Sequence, residues 1–400
     1  MKICIISQNI QTLGGLQVAV TSIAQQLSCT GMAEITFLMP KSKAKPYFPL
    51  PAGVNIKVLE DIVPAQNQIY KRIMRTLNRN TGCFDFSIAT PMMERMLFSK
   101  KSIDRLVAFI NEQNFDWVIG TAFNYSLLVA ILANRVNCKT AGWMHSTFQG
   151  YYGIRGVAYY GLQWLNKKYL SRLDICFVLN ERDKQAFMEH YQLNAVVLHN
   201  PIAIKTTQKG RHKKGELLFV GRINKQVKGL DYLVDIMKQL DKGQPNDFHL
   251  TIVGTGSDED WLKSEFQRSS LASKVTFTGF QGNVIPYYER SYILLSTSRW
   301  EGFGMTILEA MSRGTPCVSF DNDGAHEIIQ DGKGGVLIPR YNVDTFVQKI
   351  RMIWKDDSAW KLMSSAAVER ANAFETNVIA KQMYKLLRTE GEEFEFAKKN

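Results

Sequence analysis

Short apolar runs rich in β-branched residues recur along the chain, and each is trailed by a longer stretch with the apolar spacing of a helix. In the first half the runs are Lys2–Ser7, Glu34–Met39, Asn55–Leu59, Trp117–Gly120, Lys139–Met144 and Ile175–Leu179. A glycine turn, Leu13-Gly14-Gly15, follows the first run, and a helix is predicted from about Gln17 to Ser28. The pattern restarts at Glu216–Gly221 and continues through His249–Val253, Val275–Thr278, Ile293–Ser296 and Thr315–Ser319, with a helix from about Gly229 to Leu240. Strands separated by helices need crossover connections, and these give parallel sheets covered on both faces. A polar, basic stretch from His199-Asn200-Pro201 to Lys214 separates the two series. The fold class read from this pattern is α/β: two doubly wound domains, 1–198 and 199–377, with the cleft between them as the default ligand site.

Composition narrows the setting. A hydrophobic fraction of 45% and a charged fraction of 22% are those of a globular protein. Six scattered cysteines form no C-x-x-C pair, which argues against a zinc site or a disulfide framework and fits a reducing compartment. Only four apolar residues, Ile3 to Ile6, follow Met1 and Lys2, too few for a signal-peptide core. The expected location is cytoplasmic, with peripheral attachment to the inner face of the cytoplasmic membrane as an option. Residues 1–200 hold 21 Lys+Arg against 12 Asp+Glu, whereas the remainder is nearly balanced, 28 against 25. An excess on one half points to a polyanionic partner. Within it, Ile69, Tyr70, Ile73, Met74 and Leu77 form one helical stripe flanked by Lys71, Arg72, Arg75 and Arg79. That is the pattern of an interfacial membrane helix, and equally of a core helix with a solvated face. Tyr151 to Arg172 interleaves aromatics with lysines.

The chemistry-bearing residues cluster after strands of the second half. Ser298-Arg-Trp-Glu-Gly-Phe-Gly-Met-Thr-Ile-Leu-Glu follows a strand, turns on two glycines and opens a helix. The free N–H groups at such a helix start suit a diphosphate. Glu301 lies in the turn and Glu309 in the helix, where a carboxylate could accept two ribose hydroxyls. Gly221-Arg222 and Lys228-Gly229 supply cations able to neutralise a leaving diphosphate. Gly254 and Gly279-Phe280 end two further strands, where a nucleotide base could approach backbone.

Together these loops resemble the family-4 type of retaining glycosyltransferases, the glycosyl transferases group 1 of bacterial surface-polysaccharide synthesis, with the GT-B fold of two Rossmann-like domains facing each other across a cleft. The likeness spans nearly the whole chain and is strongest from Leu217 to Pro339. Glu301-Gly-Phe-Gly with Glu309 eight residues on is its main signature, and Arg222 and Lys228 match the family's phosphate-gripping pair. The resemblance implies that Gly14 and Gly15 close over the donor and that His145 is aimed at the donor sugar. Gly302, Phe303 and Glu301 would hold sugar hydroxyls, Gly304, Met305 and Thr306 the diphosphate, and Glu309 the ribose. Glu301 and His145 are thus the candidate catalytic residues, with no cofactor and no metal. A C-terminal helix at about 378–400 would complete the first, acceptor-binding domain, while the second binds the donor. Arg222 and Lys228 are six apart, one more than the commonest family spacing, which leaves Lys225 as an alternative phosphate contact. Gln17 stands where many relatives carry glutamate.

The implied activity is retaining, metal-independent transfer of a hexosyl unit from a nucleotide-diphosphate sugar, UDP-sugar favoured, to a saccharide or lipid-linked saccharide. An anionic membrane surface is a candidate partner, and nucleic acid is not expected. Asp321-Asn322-Asp323 has D-x-D spacing but reads as a polar turn, ahead of a helix beginning near Glu327. Two alternatives compete: a nucleotide-sugar epimerase of the same fold, and a basic nucleic-acid-binding protein. The second lacks any zinc-finger or RNP-like signature. A dinucleotide-dependent oxidoreductase is disfavoured because no G-x-G-x-x-G follows the first strand.

Overall fold

The computed structural model describes residues 1–399 apart from 13, 42–48, 50, 63–68, 154–158, 203, 205, 207–209 and 244–246, and leaves undescribed the side chains of 61, 62, 69–72 and 390–399. The chain divides into two compact units, Met1–Ala203 with Thr376–Asn400, and Ile204–Glu375.

The first unit holds a seven-stranded sheet of β1 (Lys2–Ile6), β2 (Glu34–Met39), β3 (Val54–Val58), β4 (Trp117–Thr121), β5 (Lys139–Trp143), β6 (Ile175–Val178) and β7 (Ala195–Val197). Its order is β3-β2-β1-β4-β5-β6-β7, and every pairing is parallel. Ile3 aligns with Ile35 on one side and Trp117 on the other. The pleat sends alternate residues to opposite cores. Cys4, Ile6, Val118 and Val178 join one cluster, whereas Ile3, Ile5, Ile119 and Phe177 join the other. Burial on both faces explains why these strands read as continuous apolar runs rather than alternating ones. The second core is closed by two helices, Gly15–Cys29 and Thr376–Lys399, which bury Val20, Ile23 and Leu27 against Ile379, Met383 and Leu387.

The second unit repeats the scheme with β8 (Glu216–Val220), β9 (His249–Val253), β10 (Val275–Gly279), β11 (Ile293–Ser296), β12 (Cys317–Phe320) and β13 (Gly335–Ile338). Their order is β10-β9-β8-β11-β12-β13, again all parallel. Both units are therefore Rossmann-like, each with one reversal of strand order. Among the described residues no helix is long and apolar enough to cross a membrane.

Two strands escaped the sequence reading, β7 and β13. Each has only three or four residues and pairs with a single neighbour at a sheet edge, so neither carries a long apolar run.

Candidate active site

The second sheet reverses its order between β8 and β11, and at such a reversal in an open α/β sheet the loops diverge and leave a crevice at the strand carboxyl ends. Gly221 and Arg222 follow β8, and residues 297–304 follow β11. Arg222 is exposed, and its guanidinium has no partner among the described residues.

Lys228 ends the short helix Lys225–Lys228, which Asn224 caps by accepting the Val227 N–H at 2.8 Å. Gly229 follows at φ +58°, and a Cβ there would lie 2.1 Å from the Thr297 carbonyl oxygen. Only glycine permits both the left-handed turn and that approach. The Thr297 hydroxyl closes the contact by donating to the Lys228 carbonyl at 2.9 Å. Lys228 is thereby brought into an ion pair with Glu301, their side chains only 16% and 15% exposed. Ser298 donates its hydroxyl to the same Oε1 at 2.7 Å. Oε2 of Glu301 has no hydrogen-bond partner among the described residues. The carboxylate is thus pinned at one oxygen and available at the other.

Neighbouring cations are engaged elsewhere. Arg299 makes a bidentate bond to Asp231, 3.0 and 2.5 Å, and donates to the Lys225 carbonyl at 3.0 Å, stapling the two loops together. The Lys225 ammonium lies 4.2 Å over the Trp261 ring. Of the two lysines considered as phosphate contacts, it is Lys228 that the fold couples to Glu301.

In the turn itself Gly302 is half-buried, and the Phe303 ring points inward, edge-on to Phe374 at 5.7 Å. Gly304, at φ +95°, caps the helix Met305–Met311, with Met305 and Thr306 half-buried in its first turn. One expectation is corrected here. The next helix begins at Asp323, not near Glu327, because the Asn322 side chain accepts the Ala325 N–H at 3.0 Å and caps it four residues earlier. The Asn322 amide also donates to the Ser298 carbonyl at 3.2 Å, tying this cap to the loop that holds Glu301. Asp321 and Asp323 flank the cap and pair with His326 and Arg340. Among the described residues no three His, Cys, Asp or Glu side chains converge as metal ligands.

Glu309 is partly buried and accepts the Tyr288 hydroxyl at 2.7 Å. Desolvation pushes its carboxyl up to about 7, and the Tyr288 hydrogen bond works against that rise. Gly221, Gly254 and Gly279 sit side by side at three adjacent strand ends. The Gly221 N–H donates to the Val253 carbonyl at 3.0 Å, and the Gly254 N–H to the Gly279 carbonyl at 2.9 Å. Phe280 follows, 48% exposed.

Three predicted residues lie in the first unit. Gly14 caps the helix that starts at Gly15, and the Gln17 amide folds back to Thr12 at 2.9 Å; Leu13 of that turn lies outside the described residues. His145 follows β5 with its ring 4.7 Å from that of Trp143. Both ring nitrogens are shut off from solvent without a geometrically sound hydrogen bond, although the Asn200 side chain beside them favours the protonated form weakly. Desolvation dominates and pushes the imidazole down to about 3. Ser298, Tyr288, Thr297 and Asn322 support this machinery, yet no spacing marked them, since each acts across a loop-to-loop contact.

Residues 203–374 match the model of the family described as glycosyl transferases group 1. An uncharacterized glycosyltransferase of Haemophilus influenzae is 25% identical over 368 residues, 91% of this chain and 93% of that protein. The lipopolysaccharide 1,6-galactosyltransferase of Salmonella typhimurium is 31% identical over 165 residues, 39% of this chain and 45% of the relative. Among solved structures, the apo form of the lipopolysaccharide outer core galactosyltransferase WaaB superposes with a TM-score of 0.72 at 19% identity, covering 98% of this chain and 100% of that one. The last of these carries the fold alone; the family match and the relatives carry the activity class. With two parallel Rossmann-like units, a match to the glycosyl transferases group 1 model across residues 203–374 and a glycosyltransferase relative aligned over nearly its whole length, this chain has the GT-B fold and is similar to the group 1 glycosyltransferases.

Proposed function

We propose that the chain is a retaining hexosyltransferase that uses a nucleotide-diphosphate sugar, UDP-sugar first, and glycosylates a saccharide or lipid-linked saccharide in lipopolysaccharide or other cell-surface polysaccharide synthesis. The observation that carries the reading is the Lys228–Glu301 pair at the sheet reversal, with the unpartnered Arg222 in the adjoining loop. Two cations and one half-free carboxylate match what a donor presents: a diphosphate bearing negative charge and a sugar bearing hydroxyls. Glu309 takes the ribose in this reading, and the Met305 and Thr306 amides face the diphosphate. The second unit is the donor-binding domain, and the first is the acceptor-binding domain. The name of the Salmonella relative supports lipopolysaccharide as the product class.

In the reaction the bond from the sugar anomeric carbon to the diphosphate oxygen breaks. A bond from that carbon to an acceptor oxygen forms on the same face, and the acceptor proton passes to the leaving phosphate. Arg222 and Lys228 stabilise the charge that develops on the diphosphate. Glu301, held at Oε1 by Lys228 and Ser298, positions a sugar hydroxyl and stabilises positive charge at the ring without becoming a covalent nucleophile. No metal is assigned a role, and His145 contacts the sugar by family likeness. Ile73 and Leu77, both exposed on the basic helix Ile69–Thr81, support contact with an anionic membrane surface.

The test is binding and hydrolysis across UDP-, GDP- and ADP-sugars, with Arg222→Ala and Glu309→Ala as controls. One nucleotide series should bind, and both variants should abolish that binding. Failure of every nucleotide sugar to bind at millimolar concentration would overturn the reading.

A further inference from the structure

The first unit contains a cavity of about 510 Å³ that no part of the donor reading uses. Arg75 and Arg79 lie on one side, one helical turn apart on the helix Ile69–Thr81. Asn124 and Tyr125 enter from the first turn of the helix after β4, and Tyr159 and Tyr160 line the same space. The helix carrying the arginines is fixed in place by Asn78, which is buried: its amide donates to the Gly161 carbonyl at 2.6 Å and its oxygen accepts the Phe84 N–H at 2.8 Å. That end of the helix is therefore held by buried hydrogen bonds, with Arg75 and Arg79 themselves exposed.

Its chemistry is one-sided. Neither guanidinium makes an ion pair or a hydrogen bond among the described residues, and the Asn124 amide is likewise without a partner. The hydroxyls of Tyr125, Tyr159 and Tyr160 donate to no protein acceptor there. Among the described residues no carboxylate lines the cavity; the charge of Glu60, whose carboxylate accepts the Lys41 N–H at 2.7 Å, reaches Tyr125 from outside that lining. Burial raises the phenols of Tyr125 and Tyr159, so both stay protonated donors at neutral pH. Two forked cations and a ring of neutral donors, with no carboxylate among the described lining residues, call for an oxyanion.

We propose that this cavity binds a phosphate group carried by the acceptor, with Arg75 and Arg79 on the phosphate and Asn124 and the tyrosines on the adjoining sugar hydroxyls. The proposal rests on the transferase reading for the word acceptor, while the anion site itself stands on the cavity alone. It names the acceptor class as a phosphorylated saccharide, whether free in solution or linked through phosphate to a lipid.

Residue-resolved arginine modification tests it. The protein is treated with phenylglyoxal, and labelling of Arg75, Arg79 and Arg222 is read separately by peptide mass spectrometry. Glucose 1-phosphate or pyrophosphate at about 10 mM, a concentration suited to millimolar binding, is expected to lower labelling of Arg75 and Arg79 about threefold or more. Methyl glucoside, and sodium chloride at matched ionic strength, are expected to leave it unchanged. UDP is expected to protect Arg222 without protecting Arg75, which reports the donor reading independently. If Arg75 is protected by glucose 1-phosphate but Arg222 by no nucleotide, the anion site stands and the transferase reading fails. If neither phosphate compound protects Arg75 and Arg79, or chloride protects them equally, the proposal is overturned. Protection by phosphatidylglycerol vesicles alone also overturns it, and marks a membrane contact instead. In a transfer assay, Arg75→Gln with Arg79→Gln is expected to raise KM for a phosphorylated acceptor about tenfold or more, with UDP binding unchanged. Added guanidinium should restore part of the loss, which a merely unfolded variant would not show.

Discussion

The buried hydroxyl of Tyr288 donates to Glu309 Oε2 across 2.7 Å and lowers the affinity of this carboxyl for its proton. Desolvation wins, however, and holds Glu309 at about 7 against an ordinary value of 4.5. The folded protein then keeps a proton that the unfolded chain releases between these two values, so stability falls as pH rises through that window. Below about 4.5 both states are protonated, and above 7 both are ionised with the full cost retained. Glu309→Gln is expected to flatten this dependence and to raise stability at pH 8 by up to about 3 kcal/mol. Thermal unfolding of both proteins at pH 5 and pH 8 checks it; parallel shifts in the two would refute the assignment.

Donor affinity should follow the same ionisation in the opposite sense. In the proposed donor site an ionised Glu309 would accept two ribose hydroxyls, whereas the protonated acid can accept fewer. Binding of UDP is expected to weaken about tenfold for each pH unit below the Glu309 pKa. In Tyr288→Phe the midpoint of that curve should move upward, because the opposing hydrogen bond is gone. Calorimetric titrations from pH 5.5 to 8.5 measure both curves, and a midpoint unmoved by the substitution would count against the role given to Tyr288.

The Lys228–Glu301 pair gives a coupling test. Each side chain is mostly shielded from solvent, so removing one leaves a charge without its partner. A double-mutant cycle with Lys228→Ala and Glu301→Gln is expected to return a coupling of about 1–3 kcal/mol in stability. Glu301→Gln should also lower kcat more than it raises KM for the donor. No adduct should be trapped on Glu301 in the proposed mechanism, where it is a positioner; a trapped adduct would overturn that role. A coupling near zero would mean the pair is a solvated contact of no consequence.

Gly229 is the backbone condition for that pair. Gly229→Ala places a Cβ 2.1 Å from the Thr297 carbonyl at a residue held at φ +58°. The expected loss is about 2 kcal/mol or more of stability, together with weaker donor binding as Lys228 is displaced. Differential scanning calorimetry and UDP titration on the same sample would expose an error here: full stability with weakened binding contradicts the steric argument.

His145 carries the opposite pH sign from Glu309. Its imidazole is pushed down to about 3, against an ordinary value of 6.5, so the unfolded chain takes up a proton that the folded protein refuses. Stability from this residue is complete above pH 6.5 and is lost as pH falls toward 3. Nitrogen-15 chemical shifts of the ring should report a neutral imidazole at pH 5. A ring found protonated there would show that His145 is solvated.

Much of this was legible in the residues alone. Strands buried on both faces announce themselves as unbroken apolar runs, because no solvent face interrupts them, and Lys2–Ile6 and Ile293–Ser296 are read that way at once. Glycines after strands mark the carboxyl-edge loops, so Arg222, Glu301 and Glu309 could be singled out by local spacing. The tertiary structure decided everything that depends on distant segments. Lys228 and Glu301 are 73 positions apart, and Tyr288 and Glu309 are 21 apart. Their meeting is set by the order β9-β8-β11-β12, which no local pattern encodes. The short edge strands β7 and β13 likewise exist only because a neighbour supplies their hydrogen bonds. Arg75 and Arg79 read as one flank of an amphipathic helix, and only the packing of Asn78 against Gly161 turns them into the wall of a cavity. Periodicity is a property of neighbours in sequence, whereas a site is a property of neighbours in space.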